Sequence, residues 1–102
     1  MIYIRIHSTD NGNMVAMCDS DLIDKVLSQG DIEINLRDYA DFYKGQLTSR
    51  DEALTIVKKE GMVSANIVGE EAIKVALDKG IIEKANVKKV SRIPYANAFS
   101  VK

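Results

Sequence analysis

The obvious candidate nucleophile in this sequence is its single cysteine, Cys18. A cysteine thiol becomes a nucleophile when a nearby cation stabilises the thiolate. If Asn11 and Gly12 form the centre of a hairpin turn, Arg5 lies opposite Cys18, with His7 on the same face. A thiol site also needs an oriented base and oxyanion donors, and the sequence has no local signature for them. We therefore interpret Cys18 as a half-buried structural residue, and no catalytic residue is assigned.

Two groups of carboxylates have the residue type for a metal site or an acid-base pair. The first group is Asp19, Asp21 and Asp24, and the second is Asp38 and Asp41. Neither spacing matches a calcium loop, and acids at a helix start are explained by the helix dipole. The single histidine has no partner at a zinc-ligand spacing. The sequence therefore predicts no metal and no cofactor.

The segment from Ser64 to Gly69 combines small and polar residues and runs into an amphipathic helical pattern. Free amides at a helix start attract phosphate, and a glycine lets the backbone approach a ligand closely. However, Glu70 and Glu71 would repel the same phosphate, and the segment has no GxGxxG or Walker lysine. We predict a well-defined turn around Asn66 and Gly69, with a nucleotide site disfavoured.

Basic residues alternate with aromatic ones near the C-terminus, an arrangement that binds phosphates while stacking bases. Residues 79–102 hold six basic residues against one acidic residue, whereas residues 1–78 hold eight against fourteen. The candidate nucleic-acid-binding residues are Lys84, Lys88, Lys89, Arg92 and Tyr95. Phe99 shares its strand parity with Tyr95, so this face is alternatively part of the core, and the RNA-recognition-motif signature is missing.

The composition is that of one ordinary globular domain spanning residues 1–102. The hydrophobic fraction is 46% and the charged fraction 28%, with one proline and one cysteine. A chain of this length buries enough surface for a single core without metal or disulfide support. The sequence begins with a strand pattern and contains no apolar run of membrane-spanning length. We expect a cytoplasmic protein without a membrane role.

The elements that position these residues follow from periodicity and turn chemistry. Alternation in residues 2–7 and in 14–18, around the polar segment 10–13, predicts an N-terminal hairpin. Further strands are predicted at Ile32, Ile34 and Leu36, at Val87 to Ser91 and at Tyr95 to Val101.

Three helices complete the prediction. The first predicted helix ends at Gly30 and has an apolar face made of Leu22, Ile23, Val26 and Leu27. The second begins with a Ser49–Glu52 capping box and ends at Gly61. The third runs from Gly69 to Lys79. Residues 37–47 are predicted as a loop or a single helical turn. The order gives an α+β fold, with a small, mostly antiparallel sheet and about three helices packed on one face.

Four segments have a distinctive combined pattern: Met17-Cys18-Asp19, Phe42-Tyr43-Lys44-Gly45, Ser64-Ala65-Asn66-Ile67-Val68-Gly69-Glu70 and Ile93-Pro94-Tyr95-Ala96-Asn97. Together they resemble the archaeal family called domain of unknown function 424 across essentially the whole chain. The resemblance points to Ser64, Asn66, Gly69, Pro94 and Asn97 as motif residues.

The family resemblance implies a small archaeal cytoplasmic protein, encoded near translation and ribosome-maturation genes. The family pattern often has histidine after the proline, where this chain has Tyr95. Tyrosine keeps an aromatic ring with a polar tip but removes an imidazole acid-base role. This departure favours a binding function over an enzymatic one.

Our leading hypothesis is a non-catalytic binding module for RNA or a ribonucleoprotein, acting through the basic C-terminal strands and the Asn66 to Gly69 turn. The first alternative is a small-molecule binder or enzyme whose pocket gathers Asn66, Gly69, Cys18 and Tyr95. The second is a protein-interaction domain that uses an exposed strand edge or aromatic side chains. Its candidate contacts lie near Pro94 or at Tyr39, Phe42 and Tyr43.

Overall fold

Eight strands and three helices make up the computed structural model of the protein, which describes residues 1–99. The strands are β1 (Ile2–Thr9), β2 (Gly12–Asp19), β3 (Val26–Gln29), β4 (Ile32–Asn35), β5 (Gln46–Thr48), β6 (Met62–Val68), β7 (Lys88–Val90) and β8 (Ile93–Phe99). The helices are α1 (Ala40–Tyr43), α2 (Arg50–Ile56) and α3 (Glu70–Asp78), with short 3-10 turns at Ser20–Leu22 and Lys84–Asn86. The predicted α+β class is confirmed.

Six strands form one mixed sheet in the order β5-β1-β2-β6-β8-β7, and β3 pairs with β4 in a separate two-stranded hairpin. The main sheet is antiparallel except at its centre, where β2 and β6 run parallel. A parallel pair needs a long crossover, and residues 20–61 supply it. No helix within residues 1–99 has the length and apolarity needed to cross a bilayer.

The sheet separates two apolar clusters. On the face that we call the helical face, α2 and α3 pack on Ile2, Ile4, Val15, Met17, Ala65, Ile67 and Ala96. On the opposite face, which we call the hairpin face, the β3–β4 hairpin and α1 contribute Leu27, Leu36 and Tyr43 against Ala16, Cys18, Val68 and Val90. Two helices therefore cover one face, whereas α1 lies on the other.

The register of the N-terminal hairpin differs from the prediction by one residue at the turn. Thr9 pairs with Gly12, so the turn residues are Asp10 and Asn11. The prediction that Arg5 faces Cys18 is therefore wrong. The observed register places Cys18 opposite Tyr3, Arg5 opposite Ala16 and His7 opposite Met14.

Gly12 explains this shift, because it belongs to the sheet and not to the turn. Its φ is +137°, and an added Cβ would lie 2.5 Å from Cγ1 of Val63 and 2.7 Å from the carbonyl oxygen of Gly61. The next amide, that of Asn13, donates to the same carbonyl at 2.7 Å. Gly12 is thus required by the close approach of the chain before β6.

The first predicted helix is wrong, since residues 20–35 form a 3-10 turn followed by the β3–β4 hairpin. Val26 is exposed while Leu27 is buried against Ile34, the cross-strand neighbour of Leu27. Neighbouring residues therefore point to opposite sides, as in a strand. Gly30, with φ of +60°, occupies the hairpin turn instead of a helix end.

The second and third helices are confirmed, but the chain between them is not a turn. Ser49 and Glu52 form the predicted capping box, and α2 ends at Ile56 instead of Gly61. Residues 62–68 then form β6, a central strand, so the prediction of a turn at Ser64 and Asn66 is wrong. One face of this strand is only partly covered, so it carries polar residues that alternate with the buried Ala65 and Ile67. These polar residues made the strand resemble a turn in the sequence.

The first of the two C-terminal strands, β7, is shorter than predicted, the second, β8, begins two residues earlier than predicted, and a two-residue turn joins them. Ser91 and Arg92 form that turn with φ values of +48° and +70°. Pro94 lies within β8 opposite Lys89, beyond the last residue pair that β8 forms with β6. Part of the predicted last strand, including Val101, lies outside the described residues.

Candidate functional site

A stripe of aromatic and amide side chains lies on the hairpin face along β8. Tyr95, Asn97 and Phe99 occupy alternate positions of this strand and therefore share one face. Asn66 lies directly opposite Asn97, and Ser64 lies opposite Phe99. Phe99 is 78% exposed, Asn97 is exposed, and Tyr95 is half-buried. We call these five residues the open patch.

The motif residues suggested by the family resemblance are brought together by this pairing. Ser64 and Asn66 from β6 face β8, where Asn97 lies, and the amide of Gly69 donates to the carbonyl of Pro94 at 2.8 Å. The motif is therefore a pair of neighbouring strands and not a single turn. Asn97 is exposed and Asn66 is half-buried on this face.

A cleft of about 430 Å³ lies where the β3–β4 hairpin overhangs the open patch. This volume falls within the range of ordinary ligand sites. Its lining residues are Asp31, Ile32, Glu33, Ile34, Tyr43, Val68, Tyr95 and Asn97. The residues of β4 form its wall, and two residues of the open patch contribute to its floor.

The hairpin is held in place by the turn between β7 and β8. The hydroxyl of Ser91 donates to the carbonyl of Ser28 at 2.6 Å, and the Ser91 amide donates to Oε1 of Gln29 at 2.7 Å. Leu27 and Ile34 anchor the same hairpin in the core of the hairpin face. The β3–β4 hairpin, which forms one wall of the cleft, is therefore held to the main sheet by both hydrogen bonds and apolar contacts.

The predicted basic residues do not share one surface. Lys88 lies opposite Tyr95 on the hairpin face, whereas Lys89 lies opposite Pro94 on the helical face. Arg92 lies in the turn between these strands, and Lys84 lies in the 3-10 turn Lys84–Asn86. Of the predicted basic residues, Lys88 therefore lies beside Tyr95 of the open patch, and Arg92 lies in the turn that leads into β8.

The predicted pocket of Asn66, Gly69, Cys18 and Tyr95 is not assembled as one cavity. Cys18 is fully buried in the hairpin-face cluster, and its Sγ donates to the carbonyl of Asp19 at 3.3 Å. Burial raises the pKa of the Cys18 thiol to about 12, so the thiolate is scarce at neutral pH. A protonated, enclosed thiol is a poor nucleophile.

Gly69 lies instead at the start of α3, where it contacts Asp19. The Asp19 carboxylate accepts the amide of Glu71 at 3.1 Å and that of Ala72 at 2.8 Å. Gly69 has φ of +110°, and an added Cβ would lie 2.3 Å from Cγ of Asp19. The helix start that suggested an anion site is therefore occupied by a carboxylate of the protein itself.

The other candidate groups have structural contacts. His7 stacks on Phe42 with ring centroids 4.7 Å apart, and its Nε2 lies 2.9 Å from the Phe42 carbonyl oxygen. Of the predicted aromatic patch, Tyr39 is 67% exposed while Tyr43 is buried. Among the described residues, no three histidine, cysteine or acidic side chains are grouped to hold a metal ion.

The acidic wall of the cleft was not recognised from the sequence. Asp31 and Glu33 lie in the hairpin that was predicted as a helix end and a short strand, so nothing placed them beside Tyr95. The available signal was the run of residues 30–35, in which a glycine-acid pair precedes alternating isoleucines. This pattern is typical of a hairpin turn.

The fold has a solved counterpart. An uncharacterized conserved protein from Methanopyrus kandleri superposes with a TM-score of 0.81 at 21% sequence identity, over 98% of this chain and 91% of that chain. No curated protein matches. Residues 6–101 match the family described as protein of unknown function (DUF424). Because this match extends over nearly the whole chain, the chain belongs to this family.

Proposed function

We propose that the protein is a non-catalytic binding module for single-stranded RNA, with the open patch as its platform. The observation that carries this proposal is the stripe of Tyr95, Asn97 and Phe99 along one face of β8. Exposed rings on a sheet surface stack successive bases, and amides between them hydrogen-bond base edges. Asn66 adds a second amide at the same level of the sheet.

Lys88 and Arg92 supply the phosphate contacts in this proposal. Both are exposed, and they lie on β7 and in its turn, beside the Tyr95 end of the stripe. Phosphates contacted there leave the bases free to reach the open patch. Lys89 projects to the helical face beside Ile73 and Leu77 of α3, so it does not contribute.

A cytoplasmic setting beside the translation machinery is part of the proposal. It rests on the family resemblance, which implies archaeal proteins encoded near translation genes. The buried thiol of Cys18 supports the non-catalytic part, since the candidate nucleophile of the sequence is enclosed in the core and does not line the cleft.

The proposal is tested by fluorescence anisotropy with a labelled nine-nucleotide RNA across a salt series. Changing both Lys88→Ala and Arg92→Ala should weaken binding and reduce the slope of log K against log salt by about 0.7 for each lost phosphate contact. Lys89→Ala is the control for each of the two single variants, Lys88→Ala and Arg92→Ala, because it removes one positive charge from the other face and should leave the slope unchanged.

The stacking part of the proposal is tested by Phe99→Ala in the same assay. Phe99 is exposed, so its removal should not destabilise the fold. Loss of one base–aromatic stack weakens binding by about 1–3 kcal/mol without changing the salt slope. Absence of RNA binding at low salt in the wild-type protein, or an equal effect of Lys89→Ala, would contradict the proposal.

A further inference from the structure

We infer that the RNA site continues from the open patch across β6 and β2 to β1, where Arg5 supplies a further phosphate contact. This inference rests on the proposed function and gives the path of the bound strand. The open patch ends at β6, but the hairpin face of the main sheet continues through β2 and β1. The RNA therefore crosses the β-strands of this face instead of following β8 alone.

Two rows of side chains cross the sheet on the hairpin face. Cross-strand pairing places Phe99, Ser64, Met14 and His7 in the first row, and Asn97, Asn66, Ala16 and Arg5 in the second. Directly paired residues share one face of a sheet. Ala16 is fully buried, whereas the other members of both rows are half-buried or exposed. The uncovered surface thus extends from β8 to β1, over about 14 Å, since three strand spacings of about 4.8 Å separate these strands.

Aromatic rings line this path on the side of α1. Tyr43 lines the cleft together with Tyr95, and the ring of Tyr43 meets that of Phe42 edge to face, with centroids 5.1 Å apart. Phe42 in turn stacks on His7, with centroids 4.7 Å apart. Rings therefore follow one another from the cleft to β1. Bases stack on rings of this kind whatever their sequence, so the path suits a single strand.

Arg5 carries the positive charge at the far end of the path. It is exposed, lies on the same strand and face as His7, and donates from Nη1 to the main-chain carbonyl of Asp41. A carbonyl carries no net charge, so this contact orients the guanidinium without neutralising it. Lys88 lies on the same face in β7, so basic side chains flank the path at both ends. A polyanion that crosses the face is held at each end, with its bases on the rings between.

NMR of the full-length protein with oligouridine RNAs of three and of nine nucleotides tests the path. Backbone amide shifts are followed up to millimolar RNA, so that weak binding of the short RNA is detected. A three-nucleotide RNA covers the open patch alone, whereas nine nucleotides also reach β1. Both RNAs should shift the amides of Asn97 and Phe99, and only the longer RNA should shift those of Met14 and His7.

Arg5→Gln tests the phosphate contact in the anisotropy salt series, and glutamine keeps a side-chain donor for the carbonyl of Asp41. The variant should weaken binding of the nine-nucleotide RNA and lower the slope of log K against log salt by about 0.7. Binding of the three-nucleotide RNA should not change. Arg50→Gln is the matched control, because it removes the same charge from an exposed residue of α2, on the helical face. It should leave binding of both RNAs unchanged.

The outcomes separate this path from the proposed function. Shifts from the nine-nucleotide RNA that stay within β6, β7 and β8 would overturn the path and leave the RNA-binding module on the open patch. An unchanged salt slope in Arg5→Gln, or an equal change in Arg50→Gln, would overturn the contact with Arg5. Absence of binding by both RNAs at low salt would overturn the proposed function as well.

Discussion

At the scale of single residues, the side chain of Asp19 caps the start of α3 from a distant part of the chain. A carboxylate from the end of β2 accepts two helix amides from residues more than fifty positions away. A local cap would come from the residue before the helix, but that residue is Gly69, which has no side chain. The long-range carboxylate therefore replaces the local cap and joins the strand to the helix.

The ionisation of Asp19 leads to a pH prediction. Burial raises the pKa of this carboxyl above its ordinary value of 3.8, and the amides of Ala72 and Glu71 offset only part of that rise. The folded state therefore holds the proton more tightly than the unfolded state. The stability that Asp19 contributes is greatest below pH 3.8 and declines as pH rises through the raised pKa.

Urea unfolding at several pH values, from about pH 3 to about pH 7, checks this prediction. The stability of the wild-type protein relative to Asp19→Asn should fall as pH rises. Glu52→Gln serves as a control of opposite sign, because the amide of Ser49 lowers the pKa of Glu52 below its ordinary value of 4.5. Its contribution is lost as pH falls. If the difference in free energy of unfolding between wild type and Asp19→Asn does not change with pH, the raised pKa of Asp19 is contradicted.

At the scale of elements, the turn between β7 and β8 is unusual in its residues. Two consecutive non-glycine residues, Ser91 and Arg92, have positive φ. L-amino acids pay about 1–2 kcal/mol for the left-handed region, and glycine does not. The hydrogen bonds of Ser91 to β3 offset part of this cost. Arg92 makes no such bond within residues 1–99, so its strain is not compensated locally.

Arg92→Gly should consequently stabilise the fold while weakening RNA binding. We expect a gain of about 1 kcal/mol, equivalent to a rise of roughly 4–8 °C in Tm for a domain of this size. The comparison variant is Lys89→Gly, which places glycine in the extended strand β7 and should destabilise the fold by about 0.5–1 kcal/mol. Thermal unfolding and the anisotropy assay measure both effects. A less stable Arg92→Gly would show that the turn is not strained.

Two of the three predicted helices form, and the first predicted helix does not. The capping box of Ser49 and Glu52 and the apolar stripe of α3 are local signals, and both helices form where expected. Leu22, Val26 and Leu27 are spaced equally well for a helix, but Ile34 pairs with Leu27 across a hairpin. A short apolar segment of this kind is decided by its distant partner, which the local pattern does not contain.

At the scale of the whole molecule, the α+β class was predictable, but the centre of the sheet was not. β6 pairs with β2 in parallel and with β8 in antiparallel fashion, and its residues alternate between the buried helical face and the partly covered hairpin face. Ser64 and Asn66 look like turn residues in the sequence because they are polar, but in the structure they are residues of β6 that belong to the open patch. The cleft lies between β8 and the β3–β4 hairpin, and the hairpin was not predicted. The sequence therefore pointed to Tyr95 and Asn97 but not to Asp31 and Glu33 beside them.

The order of the strands predicts a gradient of local stability. Strands β2 and β6 lie at the centre and contribute fully buried residues such as Met17 and Ile67, whereas β5 and β7 lie at the edges. Amide hydrogen exchange measured by NMR should be slowest in β2 and β6 and fastest in β5, β7 and the β3–β4 hairpin. Exchange from β6 that is as fast as exchange from β7 would contradict the observed strand order.

The parallel contact between β2 and β6 also matters while the protein is being synthesised. Cys18 is paired with Val68, so fifty residues must be added after β2 before its neighbour is complete. At a synthesis rate of about 5–20 residues per second, the edge of β2 that pairs with β6 stays unpaired for roughly 3–10 seconds. During this interval the apolar run from Val15 to Cys18 is available to other chains. Ribosome pausing before residue 68 should therefore increase aggregation of the nascent protein.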